Sequence, residues 1–413
     1  MSNIYVVGVG MTPFGRYLER SMASLVGEAI DASLLDAGCE KKDIQAAFYS
    51  ASTQGYLQGQ TLIPGQIALH KNGIEGIPVF NVENACASGA SGFYLAVQML
   101  LAGTCDVALA VGAEKMNIAD KSRMFSVFDG AWDVDTPEEN IQQLLKASAE
   151  FDVPAGHESE RPYSIFMTVY AAFCRQHMQT YGTTQRQIAA ICAKNHQHSV
   201  HNPLSQYRKS YSIDEVLAAP AITYPLTLPM CAPISDGAAA VLVCNEDGLK
   251  KLGTDKKRVI KLLATVVRSA TTRPADRADL HCEHLAAKEA YEIAGVGPND
   301  IDVAEVHDAT AMGELIHVEN LGLVGFGESG PAAERGDFSI GGRVPVNTSG
   351  GLESKGHPIG ATGLAQIHEL VCQLRGEAGQ RQVAGATTAI HENSGGIRGI
   401  EEAAVAINIF QKN

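Results

Sequence analysis

The strongest constraint on the fold is an internal repeat in the sequence. Residues 26–49 and residues 285–308 share one order: a helical apolar pattern, an Ala-Gly pair, an Asp-Ile pair and a short apolar strand. We expect Gly38 and Gly295 to end the two helices, because glycine readily adopts the left-handed conformation of a helix C-cap. A pattern that is used twice predicts two halves related by pseudo-symmetry.

The repeat continues downstream in both halves. Residues 77–101 and residues 343–370 each indicate a strand, a turn rich in Gly and Ser, and a long helix. Further apolar strands are predicted at 106–112 and 237–243 in the first half, and at 383–390 and 403–410 in the second. Continuous apolar strands that alternate with helices are typical of a parallel or mixed sheet covered on both faces. We therefore predict an α/β duplication in which the two equivalent turns meet at the pseudo-symmetry axis.

The two halves differ in length. We place the first at residues 1–250 and the second at residues 251–413. The first is longer because residues from about 117 to 215, which are polar and contain Pro, form a predicted inserted loop domain. Such insertions commonly cover a substrate. Its large apolar side chains are therefore expected to influence specificity; they include Trp132, Phe166, Met167 and Tyr170.

Composition excludes several classes of function. A formal net charge of −14 disfavours nucleic acid as a partner. The nine cysteines have no paired spacing and no C-x-x-C motif, as expected for reduced thiols in the cytosol. No apolar run reaches the length that crosses a membrane. We expect a cytoplasmic protein that binds neither nucleic acid nor membrane.

Cys86 is the first candidate for chemistry. It lies in the segment NACASGASGFY, residues 84–94, where a predicted strand turns into a predicted helix. A helix N-terminus carries partial positive charge and favours the thiolate form of a cysteine. Free cysteines are more often buried structural residues. Here the small neighbours, which let an acyl group approach, favour a nucleophile.

Two histidines are the next candidates. His357, between Gly and Pro in residues 355–363, occupies the turn that corresponds to Cys86 in the other half. His307, in residues 305–310, ends a predicted strand, and the carboxyl ends of strands are where α/β sheets bind ligands. Either ring could instead be a core histidine bonded to its neighbours. For His357 we favour a role as proton acceptor or oxyanion stabiliser for a nucleophilic thiol, and for His307 a position at the ligand site.

In combination these segments resemble the thiolase superfamily, and most closely its lipid-transfer-protein (SCP2-type) members. The resemblance runs from the first strand to the last, and residues 194–208 also resemble that subgroup. It rests on the motifs NACASGASG (84–92), ISDGAAAVLV (234–243), EVHDAT (305–310), SGGLESKGHPIGATG (349–363) and HENSGG (391–396). It implies the thiolase fold, with two βαβαβαββ halves in a five-layer α-β-α-β-α arrangement and an inserted loop domain.

The resemblance also implies a reaction, namely thiolysis of a 3-oxoacyl-CoA or the reverse Claisen condensation. Cys86 would attack the acyl-CoA carbonyl and become an acyl-thioester, and His357 would activate the thiol. His307 would join His357 in an oxyanion hole for the thioester oxygen of the second substrate. The backbone N–H of Cys86 would help to hold the oxyanion of the acylation step. Coenzyme A would be a substrate, and no permanently bound cofactor is expected.

The sequence departs from the family where a second cysteine should act as acid and base. The HDCF motif reads His307-Asp-Ala-Thr310, and the C-x-G motif near the C-terminus reads Glu392-Asn-Ser394. A buried glutamate can have a raised pKa and act as a base. Our hypothesis is that Glu392, or less plausibly His391, replaces the cysteine; the alternative is that Glu392 only caps a turn.

Binding groups are harder to assign from the sequence. Lys194, Arg208 and Lys209 are candidates for the CoA phosphates on charge alone, and solvated surface charge is an equal alternative. Two histidine clusters resemble metal sites, but we expect no metal because neither has a plausible ligand set. These clusters are His196, His198 and His201, and His281 with His284.

Partners and alternative functions complete the expectations. The resemblance implies a homodimer or tetramer, and some lipid-transfer-protein relatives work with a small OB-fold (DUF35-type) partner. Those relatives include retro-aldolases, which are expected to lack the nucleophilic cysteine. A thioesterase, a decarboxylating condensing enzyme and a non-catalytic acyl-CoA-binding scaffold also remain open. The presence of Cys86, His307 and His357 favours an acyl-CoA C-acyltransferase.

Overall fold

The computed structural model describes residues 3–147, 151–160 and 162–413. Its main feature is a nine-stranded mixed sheet in the order β3-β2-β4-β7-β1-β8-β11-β10-β9. The strands are β1 (Ile4–Met11), β2 (Ala46–Ser50), β3 (Val79–Val82), β4 (Val107–Lys115), β5 (Ala221–Thr223), β6 (Leu226–Thr227), β7 (Asp236–Asn245), β8 (Ile260–Ser269), β9 (Val303–Glu305), β10 (Thr388–Arg398) and β11 (Glu401–Lys412). Strands β5 and β6 form a separate hairpin.

Helices cover both faces of the large sheet and fill the insertion. They are α1 (Met22–Ala37), α2 (Gln54–Gln58), α3 (Pro64–His70), α4 (Ser88–Leu101), α5 (Lys121–Ser126), α6 (Pro137–Ala147), α7 (Ile165–Tyr181), α8 (Gln185–Ser199), α9 (Ile213–Leu217), α10 (Glu246–Leu252), α11 (Cys282–Ala294), α12 (Ala311–Asn320), α13 (Ser329–Arg335), α14 (Gly351–Lys355) and α15 (Thr362–Arg375). None of those in the described ranges is both long and apolar enough to cross a membrane.

The sheet shows the predicted duplication. In the first half β2 lies parallel to β3 and β4, and β7 lies antiparallel to β4 and β1. In the second half β9 is parallel to β10, and β11 is antiparallel to β10 and β8. A parallel bridge from Ala304 to Val346 supplies the position that β3 holds in the first half. The halves join where β1 pairs with β8.

The helices and the sheet form layers, and the order of these layers depends on the face of the sheet against which each helix packs. Helix α1 packs on one outer face of the first half, and α11 packs on the outer face of the second. Helices α4 and α15 contact each other between the halves, with Phe93 and Leu364 in one shared apolar core. This is the predicted α-β-α-β-α order, and the two inner helices are those that follow the two equivalent turns.

The repeated helix ends were predicted correctly. Gly38 and Gly295 adopt left-handed conformations, with φ of 69° and 70°, directly after α1 and α11. The predicted strand at 383–390 was placed too early, because β10 begins only at Thr388. Val383 and Ala386 are apolar because they pack into the core around α15, and not because they pair in the sheet.

The insertion lies between β4 and β7. It contains α5 to α9 and the β5–β6 hairpin, so it extends beyond residue 215, where the sequence analysis ended it. Its apolar side chains pack against α12 of the second half. The predicted division near residue 250 falls within α10 and remains a prediction.

Close packing between the halves can be tested at Gly112 in β4. An added Cβ there would lie 1.9 Å from the carbonyl oxygen of Gly360, which belongs to the His357 turn. We expect Gly112→Ala to reduce the free energy of unfolding by about 3 kcal/mol, because neither backbone can move aside easily. Urea denaturation would measure this change. Gly297→Ala is the control, since Gly297 has extended backbone and its added Cβ would lie 3.7 Å from the Asp300 carboxylate. It should change stability by less than about 0.5 kcal/mol. Equal effects of the two variants would contradict the close contact.

Candidate active site

Cys86 lies in the turn between β3 and α4, two residues before the helix begins. The preceding Ala85 has a φ of 48°, a left-handed conformation that costs a residue with a Cβ about 1–2 kcal/mol. A Cβ on Gly395 of β10 would lie 2.6 Å from the backbone nitrogen of Cys86. The strained turn is therefore held closely against a strand of the other half, which aims the thiol towards it.

The thiol meets His357 across the boundary between the halves. The Cys86 Sγ lies 3.2 Å from His357 Nε2, and His357 Nδ1 lies 2.7 Å from Thr362 Oγ1. The Thr362 hydroxyl donates to the carbonyl of Pro358 at 3.0 Å, so it accepts from Nδ1–H of the ring. That tautomer leaves Nε2 free to accept the thiol proton.

The charge states differ from the expectation of a ready thiolate. Burial, together with the charges of Glu114 and Glu83, raises the pKa of the half-buried Cys86 thiol to about 12. Burial and the nearby Lys355 charge lower the pKa of His357 to about 3. The helix N-terminus does not overcome these effects, and the free protein holds a neutral thiol beside a neutral imidazole.

His307 completes a compact group with Cys86 and His357. One polar atom of each residue lies within 4.8 Å of the others, and the two rings have centroids 5.1 Å apart. His307 Nδ1 lies 3.3 Å from Ser394 Oγ, while its buried Nε2 has no hydrogen-bond partner within the described chain. Burial and the two neighbouring histidines lower its pKa well below the usual range, so the ring is neutral.

Glu392 lies behind His307. Its Oε2 accepts the backbone N–H of His307 at 2.8 Å and lies 3.7 Å from His317 Nδ1. Burial raises the pKa of Glu392 to about 8, although the His317 charge opposes the rise. The carboxyl group does not line the cavity at Cys86. His391 is further removed, since its ring bonds Gln366 and Asn408 in the core.

Two buried carboxylates that the sequence analysis did not select hold the loops together. Asp308 accepts the backbone N–H groups of Leu352 and Glu353, which ties the His307 loop to the His357 loop. Glu114 accepts N–H groups from Thr53 and Gly360 and so connects the two halves. An acidic residue inside the apolar strand that contains Glu114 was a usable signal.

A cavity of about 690 Å³ opens over the three residues. The insertion provides much of its apolar wall, including Phe166, Met167 and Tyr170. Trp132 instead lines an adjoining recess of about 620 Å³ that shares Ala85 and Gly396 with the cavity. The prediction that the insertion covers a substrate site agrees with this geometry.

Comparison with known proteins decides the family. The family model for the thiolase N-terminal domain matches residues 4–211, and the thiolase C-terminal domain-like model matches residues 266–408. This chain belongs to the thiolase family. It is 38% identical over 408 residues to human "Sterol carrier protein 2", covering 96% of this chain and 70% of that protein.

Two further thiolase-family relatives are informative. The chain is 36% identical over 415 residues to "Acetyl-CoA acetyltransferase" of Methanothermobacter thermautotrophicus, and the match covers 100% of both chains. Among solved structures, "Ltp2-ChsH2(DUF35) aldolase" superposes with a TM-score of 0.76 at 20% identity, covering 98% of this chain and 97% of that one. At that identity the structural match supports the thiolase fold alone.

The cationic side chains that were predicted to bind the CoA phosphates do not line the cavity over Cys86, His307 and His357. Lys194 is buried, donates to Glu314 Oε1 at 2.5 Å and to the carbonyl of Val346 at 2.7 Å, and is not free to bind a phosphate. The prediction for Lys194 was therefore wrong, because charge alone cannot distinguish a buried pair from a surface cation. Arg208 and Lys209 are exposed but do not line the cavity, and their role stays a prediction.

Other buried histidines, outside the cavity, contact backbone carbonyls or carboxylates. His196 and His198 contact backbone carbonyls, and neither belongs to a group of metal-ligating side chains in the described ranges. His281, Glu283 and Glu402 form one group whose ligand atoms lie within 4.8 Å of each other, and Glu283, His317 and Glu392 form another. Within the second group His317 Nδ1 lies 2.8 Å from Glu283 Oε2.

The pH dependence of Cys86 alkylation tests the charge states of this site. Since the thiol pKa is raised to about 12, the thiolate fraction should rise about tenfold per pH unit throughout pH 7–10. We expect the rate with iodoacetamide, followed by mass spectrometry of the Cys86 peptide, to rise without a plateau. A plateau near pH 7 would instead indicate a thiolate–imidazolium pair. Cys86→Ser controls for labelling of the other cysteines.

Thr362→Val tests how the His357 tautomer is set. The change removes the acceptor of Nδ1–H and allows the tautomer in which Nε2 carries the proton and cannot take another. We expect Cys86 to be acylated by acyl-CoA about tenfold more slowly, measured by quenched-flow mass spectrometry. Thr254→Val, at a threonine that bonds the carbonyl of Ala37 far from the site, is the matched control. An unchanged rate in Thr362→Val would contradict this role.

Proposed function

We propose that the protein is a thiolase-type acyl-CoA C-acyltransferase that forms an acyl-Cys86 intermediate. The observation that carries the proposal is the 3.2 Å contact between Cys86 Sγ and His357 Nε2 at the floor of an apolar cavity. A neutral thiol beside a neutral, correctly oriented imidazole is the ground state of a general-base-assisted nucleophile. Acyl groups on CoA fit the apolar wall and the thioester chemistry.

The first step follows from this arrangement. His357 Nε2 takes the Cys86 proton as the sulfur adds to the carbonyl carbon at C3 of a 3-oxoacyl-CoA. The bond between C2 and C3 then breaks, which leaves an acyl-Cys86 thioester and the enolate of a shortened CoA thioester. The enolate then takes a proton at C2 and leaves as the shortened CoA thioester. In the second step CoA gives up its thiol proton, which replaces the one used at C2, as its sulfur attacks the acyl-Cys86 carbonyl. The departing Cys86 thiolate recovers its proton from His357. The same steps in reverse give a Claisen condensation.

His307 is proposed to stabilise the enolate oxygen. One of its ring nitrogens lies within 4.8 Å of Cys86 and His357, and a Ser394 hydroxyl that donates to Nδ1 would place the remaining proton on the unpartnered Nε2. Glu392 is then a positioning residue, since it holds the backbone N–H of His307. The sequence-based hypothesis that Glu392 is the second acid and base requires a path to the cavity that these contacts do not supply.

A DUF35-type partner is a further part of the proposal. The fold resembles that of the solved structure "Ltp2-ChsH2(DUF35) aldolase". A retro-aldolase activity is the second candidate on the same observation. The Cys86–His357 contact favours acyl transfer over it, because a retro-aldol cleavage forms no acyl-enzyme.

Intact-protein mass spectrometry tests the proposed function. We expect incubation with a series of acyl-CoA and 3-oxoacyl-CoA esters to give an acyl adduct on Cys86 that disappears when CoA is added. Cys86→Ala should form no adduct, and Cys39→Ala, which changes a half-buried cysteine far from the cavity, should behave as wild type. No adduct with any ester would exclude the thiolase reaction, and cleavage of a 3-hydroxyacyl-CoA without an adduct would establish the aldolase.

A further inference from the structure

We propose that Tyr170 is the proton donor and acceptor at C2 of the substrate, in the place that family members give to a second cysteine. The inference rests on the proposed thiolase reaction and deepens it. Tyr170 lies on α7 of the insertion, and its side chain lines the cavity with Cys86, His307 and His357.

The position of the phenol group supports this role. The side chain is 2% exposed, and its ring packs edge-on against Phe173 with centroids 6.1 Å apart. Its hydroxyl makes no hydrogen bond with any described residue. The hydroxyl oxygen is also not fully enclosed by protein atoms. It therefore touches the open space of the cavity, where a buried polar group without a partner needs one from the substrate.

Several other polar groups on the cavity wall contact protein groups. Ser52 donates to the carbonyl of Ala85, Glu402 lies 3.3 Å from His281 Nε2, and Tyr56 bonds Ser126. The motif positions that normally carry the second cysteine hold Ala309, which has no proton to transfer, and Glu392, which does not line the cavity. Cys231 also lines the cavity, but its thiol lies 3.6 Å from the carbonyl oxygen of Thr227. Tyr170 combines a transferable proton, a hydroxyl without a partner in the described chain and access to the substrate.

The electrostatic surroundings keep the phenol protonated before the reaction. Burial, followed by the charges of Glu402 and Cys86, raises the pKa of Tyr170 well above its usual value. The phenol is thus an acid in the free enzyme. Cleavage of a 3-oxoacyl-CoA requires an acid first, because the enolate forms before CoA enters.

The proton transfers balance over the cycle. After the C2–C3 bond breaks, the Tyr170 O–H bond breaks and its proton forms the new C2–H bond, with the electron pair left on the phenolate. The phenolate then takes the S–H proton of the incoming CoA, whose thiolate attacks the acyl-Cys86 carbonyl. Cys86 leaves as thiolate and recovers its own proton from His357. Condensation uses the same transfers in reverse, with the phenolate removing a proton from C2.

Deuterium exchange separates this step from acylation. The first measurement is the rate at which deuterium is incorporated at C2 of acetyl-CoA in D₂O with added CoA, monitored by mass spectrometry. The second is the rate of Cys86 acylation. In Tyr170→Phe we expect the rates of exchange and of 3-oxoacyl-CoA thiolysis to fall at least about 100-fold. Acylation of Cys86 by acetyl-CoA should stay within about threefold of wild type, because the departing CoA thiolate can take its proton from water, whereas proton transfer at C2 needs a positioned acid or base.

Tyr207→Phe is the matched control. Tyr207 is an exposed tyrosine of the insertion that does not line the cavity. Both rates should stay within about threefold of wild type in this variant. Circular dichroism and thermal unfolding check that both phenylalanine variants keep the fold.

Three outcomes would overturn the assignment. Exchange in Tyr170→Phe above one tenth of wild type would exclude the phenol as the acid. Loss of exchange in Glu392→Gln, with exchange in Tyr170→Phe unchanged, would assign the role to Glu392. Absence of a Cys86 adduct in the wild-type protein would contradict the proposed function itself. The wild-type protein is therefore measured before any Tyr170 variant.

Discussion

The structure depends on the contact of two equivalent turns at the boundary between the halves. Cys86 follows β3 in the first half, and His357 occupies the corresponding turn of the second, and their side chains meet at 3.2 Å. Neither turn could bring both groups together alone. The close backbone packing of Gly112 against Gly360 fixes the distance between the halves, so the chemistry is tied to the same packing that stabilises the fold.

This dependence explains why the site is held by buried hydrogen bonds and not by surface contacts. Asp308 joins the His307 and His357 loops, and Glu114 joins loops from both halves, each through backbone N–H groups. Removal of either carboxylate would leave several buried donors unpaired, which costs more than the bonds themselves contribute. Thr362 then orients the His357 ring, so the proton needed for the reaction is placed before substrate binds.

The sequence predicted the parts of this arrangement that recur as patterns. The repeat predicted the duplicated sheet and the helix ends at Gly38 and Gly295, and the family motifs directed attention to Cys86, His307 and His357. Properties that depend on burial could not be predicted. Charge did not show that Lys194 is paired with Glu314. Position at a helix N-terminus did not show that the surroundings of Cys86 raise its pKa.

The same limitation applies to the replacement of the missing cysteine, for which the motifs and the cavity indicate different parts of the chain. Motif comparison considers only aligned positions, and there it found Ala309 and Glu392. The cavity, however, is built from both halves and from the insertion, so a residue on α7 can reach a substrate atom that the motif residues no longer reach. Tyr170 was recognised in the sequence only as an apolar contact in that insertion. A segment that determines which acyl group fits can therefore also supply the proton, so that substrate choice and carbon chemistry depend on one helix.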